Sequence, residues 1–512
     1  MMRTMLKPWP VALGLCALVA LFLILWPLGL GRDYVNHLAR TYIEGHLGSD
    51  PALQQYYSLS FDFIPDLTMD MIVPWLSHLI GIYPAGAVTI WLAFVLPPLA
   101  GLALAKTLHG RVTWLSLLGF LTVFNANMDL GFVNYTAASG LALLAFVLWI
   151  RMQPRWRRTL VFAPLTLFLV MNHALAFLTF GFLAFVWEVA NFHKGARGDR
   201  WSFTRQLALK DLSAMLPGLV FLYLSMQGAS DLPQNIHPLY DFGQKFRALM
   251  AATEFGSVAL AMFAILALCV FVWIALRHGW IRFAPGMGWV CAAFLALVIL
   301  VPTAIFGIWG LHLRFVAPLV IVTAASVVPT AAFSPRLQQI SLAGFGAIGV
   351  ALFTNGAVQM AHIDRQAQTL RTVLSELPVG AKVFAAVAAE EHEPAFALHA
   401  VAMATIERSA FVPGLFTNTS PVDIQPQMAD WHMPQGRTYL GAELAALAAQ
   451  PRQSSANGYW SEAYASAWPE AWDYVLYFKA PTDPGLTDLP VCEVKSTPTM
   501  ILYATAPCDA TQ

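Results

Sequence analysis

The chain has 512 residues, of which 58% are hydrophobic and 11% charged, with a mean hydropathy of +0.61. That is too apolar for a soluble protein of ordinary composition and predicts a polytopic membrane protein. Lys plus Arg and Asp plus Glu balance at 29 each, so net charge gives no sign of a nucleic-acid partner, and the placement of the basic residues carries the information.

A membrane span needs roughly 20 apolar residues, and short cytoplasmic loops carry the Lys/Arg excess. Arg3 and Lys7 precede the first apolar run, residues 11–30, which is long for a signal sequence and ends without a small-x-small cleavage site. It reads as a retained span with a cytoplasmic N-terminus, so the following stretch, Gly31 to Arg40, is expected outside. In a helix, Asp33, Asn36, His37 and Arg40 fall at i, i+3, i+4 and i+7 and share one face. A long outer loop continues to about residue 83. It includes an amphipathic piece, Leu67 to Ile80, suited to lie in the interface. Asp66 and Asp70, at i and i+4, form a second pair of carboxylates there.

Residues 84–106 return to Lys106, His109 and Arg111, and residues 112–128 go out to the polar turn around Asn125 and Asp129. Residues 131–150 come back to Arg151, Arg155, Arg157 and Arg158, the densest basic cluster. The apolar stretch 159–190 has Asn172-His173 near its middle and basic residues at both ends, which predicts two short spans turning at His173. Runs at 207–226, 251–276, 287–308, 315–333 and 338–358 complete a layout of about eleven spans with the C-terminus outside.

Near His362 the texture changes. Apolar runs shorten to strand length and polar residues become frequent, which divides the chain into a membrane domain, 1–360, and a C-terminal extracytoplasmic α/β domain, 361–512. Val383 to Val387, Ala410 to Pro413, Tyr474 to Phe478 and Met500 to Ala504 are predicted strands, with helices over 364–377 and 440–450. Cys16, Cys269 and Cys291 lie in apolar runs. Cys492 and Cys508 lie in the polar region, where an oxidising compartment would make them candidates for a disulfide, and two free thiols are the alternative.

Ionisable residues at a membrane boundary call for a function and a partner. Asp33, just past the first span, could activate an acceptor hydroxyl or amine, or ligate a divalent cation with other oxygen donors; its bland alternative is to cap an interfacial helix. Asp66 and Asp70 could line the same outer cavity or form a solvated face. His173 could be a ligand or a buried, hydrogen-bonded residue. Arg314 opens a span and could clamp a phosphate through its planar fork, or merely snorkel. No metal-binding spacing, nucleophile elbow, P-loop or dinucleotide fingerprint occurs.

The layout resembles the GT-C superfamily of integral-membrane glycosyltransferases, which includes the aminoarabinose, protein-mannosyl and oligosaccharyl transferases. The resemblance rests on Asp33 directly after the first span, a long first outer loop over 31–83, a span opening Arg314-Phe315 with Pro318, and a C-terminal domain opening Leu377-Pro378-Val379-Gly380. It implies chemistry on the outer face of a bacterial cytoplasmic membrane, with a polyprenyl-phosphate sugar as donor. Residue by residue it implies Asp33 as general base or metal-holding acid and, more weakly, Arg314 as a ligand of the donor phosphate; from their own positions His37, Arg40, Asp66, Asp70 and His173 are expected in supporting contacts to substrate. Where several members have two adjacent acids this chain has Asp33-Tyr34, so a divalent metal ion remains an open cofactor, and the acceptor is not specified. Two other classes fit many spans: a transporter or flippase, against which the absence of matching halves counts, and an assembly factor whose aromatic residues Tyr459, Trp460, Tyr464, Trp468, Trp472 and Tyr474 would be an interaction surface, with core or a sugar-stacking face as the alternatives.

Overall fold

The computed structural model describes residues 7–60, 63–152, 156–195, 211–228, 240–305, 308–388, 399–417, 420–431, 439–451, 464–479 and 481–506. The chain is a polytopic α-helical membrane protein with a C-terminal α/β region. Among the described residues, six helices are long and apolar enough to cross a bilayer: Pro8–Leu25, Ile82–His109, Val133–Arg151, Ala174–Phe192, Val258–Arg277 and Pro335–Leu374. Shorter apolar helices cover Leu212–Gln227, Met287–Leu300 and Leu311–Ser326. Packing groups the chain into two compact units. One holds the described residues of Met1–Leu25, Pro65–Thr68 and Val88–Gln359, and the other those of Trp26–Ile64, Met69–Ala87 and Met360–Gln512.

In the first unit the polar pair Asn172-His173 interrupts its apolar run as expected, giving helices Trp156–Asn172 and Ala174–Gly195 on either side of His173. Residues 112–128 differ from the expected span. They form a 3-10 helix, Trp114–Thr122, and then a single turn, Ala126–Asp129. Nearly every residue of the 3-10 segment is buried, and it packs on Val316–Ser326, so protein stands where lipid would otherwise meet its irregular backbone. Gly140, within Val133–Arg151, faces Leu96 and Pro97, where an added Cβ would lie within 2.7–2.9 Å of their atoms. Its lack of a side chain lets those two helices approach closely.

Arg158 departs from the sequence reading as well. Instead of joining a basic loop, it lies inside Trp156–Asn172 with only 2% of its side chain exposed. Its Nη1 meets Glu188 Oε1 at 2.7 Å and Asp211 Oδ1 at 3.5 Å, and its Nη2 donates to the Trp149 carbonyl at 3.0 Å. Trp149 adds its own indole N–H to Glu188 and lies under the guanidinium. A buried guanidinium of this kind is tolerated because its donors are answered.

In the second unit the sheet order is Cys492–Ser496, Met500–Ala504, Tyr474–Phe478, Val383–Val387, Tyr439–Leu440. The first two pairings are antiparallel and the last two parallel, with Val383 opposite Tyr474 and Met500 opposite Phe478. Val383–Val387 is buried along its whole length, which fits a central strand made of continuous apolar residues. The predicted strand at Ala410–Pro413 reduces to one bridge, Phe411 to Lys382, whose ring is taken up by the core with Tyr57 and Trp472. Trp468, Trp472 and Tyr464 are buried, with Phe384 against both tryptophans, so they are core residues. Tyr459 and Trp460 lie outside the described residues. The helix Pro335–Leu374 runs unbroken through residue 360, because neither proline nor glycine falls between Ala357 and Leu377.

Replacing Arg158 with Leu should cost about 3–5 kcal/mol, because two buried carboxylates lose their cation. The double change Arg158→Leu with Glu188→Leu should recover part of that loss. Thermal denaturation in detergent measures both, and a single variant that melts with the wild type would contradict the assignment.

Candidate functional site

The predicted polar helix forms as Asp33–His46. Arg32, at φ 55°, occupies the N-cap and makes no side-chain capping bond, while Asp33 is the first helical residue. The carboxylate therefore is not the cap. It sits in the first turn, at the positive end of the helix dipole.

Asp33 meets a residue that the sequence did not single out. Its Oδ1 lies 3.2 Å from Nε2 of His399, and the two side chains are 26% and 12% exposed, so the acid is open to a ligand and the imidazole is largely covered. Asn36, one turn further along, fixes the arrangement. Its Oδ1 accepts the Phe416 backbone N–H at 2.7 Å, which makes Nδ2 the donor to the Gly414 carbonyl at 2.6 Å and to His399 Nδ1 at 3.4 Å. With Nδ1 accepting, the proton of a neutral His399 belongs on Nε2, aimed at Asp33. Burial lowers the affinity of His399 for a second proton; Asp33 opposes this and Arg32 reinforces it. The Phe416 ring meets both His399 and His37 at 5.3 Å.

Further along the helix, Arg40 is fully buried and pairs with Asp70 through two parallel bonds, Nε to Oδ1 at 2.7 Å and Nη2 to Oδ2 at 2.6 Å. Asp70 comes from the first turn of Thr68–Ile80. The fork-to-fork geometry ties the two helices together and answers both charges. Glu44 completes the cluster. Its affinity for a proton is pushed up by burial first, then by the charge of Asp70 and a hydrogen bond to it, with Arg40 pulling the other way. It is protonated at neutral pH.

The first unit gathers the other expected residues. Asp66 precedes the helix Thr68–Ile80 at φ 95°, so it does not share a helical face with Asp70, and the expected i, i+4 pair does not form. Its left-handed backbone is held by N–H bonds from Asp66 and Leu67 to the Met171 carbonyl and by Asn134 Nδ2 donating to the Asp66 carbonyl. The Asp66 carboxylate stands 3.8 Å from Nε2 of His173, whose Nδ1 accepts the Leu175 N–H at 3.1 Å. Tyr135 lies edge-on to the His173 ring at 5.1 Å and donates its hydroxyl to the Arg314 carbonyl at 2.6 Å. The Arg314 guanidinium stacks 4.2 Å over Phe132. Asp66, His173, Tyr135 and Arg314 are thus neighbours, although they come from four separate stretches of sequence.

Among the described residues no three His, Cys, Asp or Glu side chains converge as a metal centre. Cys492 opens its strand, and Cys508 lies outside the described residues. Neither His37 nor Arg40 gives a cue to His399, which lies 363 residues from Asn36 in a stretch without periodic pattern.

Because the Glu44 carboxyl binds its proton more tightly when folded, the stability it contributes is complete below about pH 4.3 and is lost as pH rises through its folded value. Glu44→Gln should therefore flatten the fall in melting temperature between about pH 5 and pH 9, with its advantage over wild type growing as pH rises. Parallel melting curves at every pH would contradict the protonated state.

No protein-family description and no curated protein matches the sequence. Solved structures do. ArnT from Cupriavidus metallidurans bound to undecaprenyl phosphate superposes with a TM-score of 0.51 at 12% identity, covering 96% of this chain and 97% of that one. ArnT from the same organism in the apo state gives 0.52 at 12% identity, over 97% and 98%. The chain has the fold of ArnT, a GT-C glycosyltransferase, along nearly its whole length.

Proposed function

We propose that the chain is a membrane glycosyltransferase that moves a sugar from a polyprenyl-phosphate donor to an acceptor hydroxyl or amine on the outer face of a bacterial cytoplasmic membrane. The observation that carries this reading is the full-length likeness to ArnT, one structure of which holds undecaprenyl phosphate. Asp33 at the head of its helix supports it: a partly open carboxylate directly after the first span is where the head of a lipid-borne sugar would be met.

In the proposed step the acceptor oxygen or nitrogen attacks the anomeric carbon and gives its proton to Asp33. The bond from that carbon to the phosphate oxygen breaks, and the polyprenyl phosphate leaves with the electron pair. Positive charge near the departing phosphate lowers the barrier. Arg314, in the first unit, is a candidate phosphate ligand because a planar guanidinium fork suits a phosphate and stacking on Phe132 holds its plane. Asp66 and His173 would position substrate beside it. Asp33 would alternatively hold a divalent cation together with oxygen donors, and the proton transfer itself needs only the carboxylate.

Asp33→Asn should lower transfer by about 10²–10⁴-fold while leaving undecaprenyl phosphate binding and the melting temperature unchanged. The assay is mass-spectrometric detection of the glycosylated product in proteoliposomes supplied with a panel of undecaprenyl-phosphate sugars; normal turnover by the variant would sink the assignment. Arg314→Gln should weaken retention of undecaprenyl phosphate roughly tenfold, with Arg314→Lys between the two, as expected for a charge-assisted bond to phosphate. Retention equal to wild type in Arg314→Gln would remove Arg314 from the donor site.

A further inference from the structure

We propose that His399 is a positioning residue for Asp33: as the neutral Nε2–H tautomer it donates a hydrogen bond that orients the carboxylate and holds it ionised until an acceptor proton arrives. This rests on the reading of Asp33 as the base.

Three observations carry it. The Asp33 Oδ1 to His399 Nε2 distance of 3.2 Å suits a hydrogen bond from an imidazole N–H. The tautomer follows from the amide of Asn36, whose own orientation is set by the Phe416 N–H and the Gly414 carbonyl, so the direction of the donor does not depend on a choice at the histidine. The imidazole is gripped by two residues one helical turn apart, Asp33 and Asn36, and by the edge of Phe416, which leaves it little freedom to turn away.

Among the described residues, the charged and titratable groups around His399 are Asp33 and Arg32, with His37 on the far side of the Phe416 ring. Burial and Arg32 keep His399 from taking a second proton, against the pull of Asp33. A donor bond to the ionised form lowers the proton affinity of a carboxylate and fixes which oxygen lone pairs face outward. The histidine neither gains nor loses a proton in the transfer step. Its contribution is geometric and electrostatic, as with a histidine held by a carboxylate in other sites but with the roles of orienter and oriented exchanged.

The test reads Asp33 directly and needs no substrate. A water-soluble carbodiimide with glycine ethyl ester converts a protonated carboxyl to an amide, and peptide mass spectrometry of the full-length protein in detergent gives the pH of half-labelling at Asp33. His399→Leu should raise that pH by about one unit, a tenfold change in proton affinity, and His399→Gln, which can still donate, should return it most of the way to wild type. His399→Asn, polar but too short to reach, should behave as Leu, and it serves if the Leu variant does not fold. Half-labelling at the wild-type pH in the Leu or Asn variant would overturn the proposal. In the transfer assay the same Leu or Asn change should lower kcat with KM unchanged and with rescue by Gln. A shift in labelling without transfer in the wild-type protein would overturn the glycosyltransferase reading and leave the Asp33–His399 pair standing, so the two failures are separable.

Discussion

A guanidinium can be taken out of water only where its donors find acceptors, and the bidentate Arg40–Asp70 pair is the constraint on which the Asp33 helix depends. The pair locks Asp33–His46 to the helix that begins at Thr68, and the register of the first helix follows from it. With Arg40 turned inward, Asn36 and Asp33 are carried to the positions where Gly414, Phe416 and His399 meet them. Asp33 and Asn36 are thus placed by the pairing of an arginine one to two turns further along the same helix. His37, on the same helix, meets Phe416 in a T-shaped ring contact at 5.3 Å.

The first unit solves a related problem with backbone instead of charge. Asp66 is kept in a left-handed conformation that a side chain other than glycine adopts at a cost of about 1 kcal/mol or more, and the Met171 carbonyl and Asn134 supply the bonds that maintain it. The break between the helices on either side of His173 exposes the carbonyl at Met171 that these bonds need. A polar interruption in an apolar run, the ring contact and hydroxyl bond of Tyr135 and a strained aspartate are parts of one local structure.

Much of this was legible in the sequence where the signal was local. The i, i+3, i+4, i+7 stripe from Asp33 to Arg40 became one helix, the Asn172-His173 pair marked a real break, and three of the apolar pentads in the C-terminal region became sheet strands. Long-range pairing was not legible. Arg158 reads as one more cation in a basic loop until Glu188 and Asp211 are seen around it. His399 carries no pattern of its own and gains meaning only from Asp33 and Asn36. The separation of Asp66 from Asp70 depends on a single backbone angle, which residue type does not reveal.

The cluster of Arg40, Asp70 and protonated Glu44 holds one positive and one negative charge and a neutral acid that hydrogen-bonds within it. Its net charge is zero, so its field beyond its immediate neighbours is that of a small dipole, which falls away much faster than that of a lone guanidinium. An approaching phosphate would feel little of Arg40. The helix that carries Asp33 is therefore electrically quiet at this cluster, although a guanidinium lies in it.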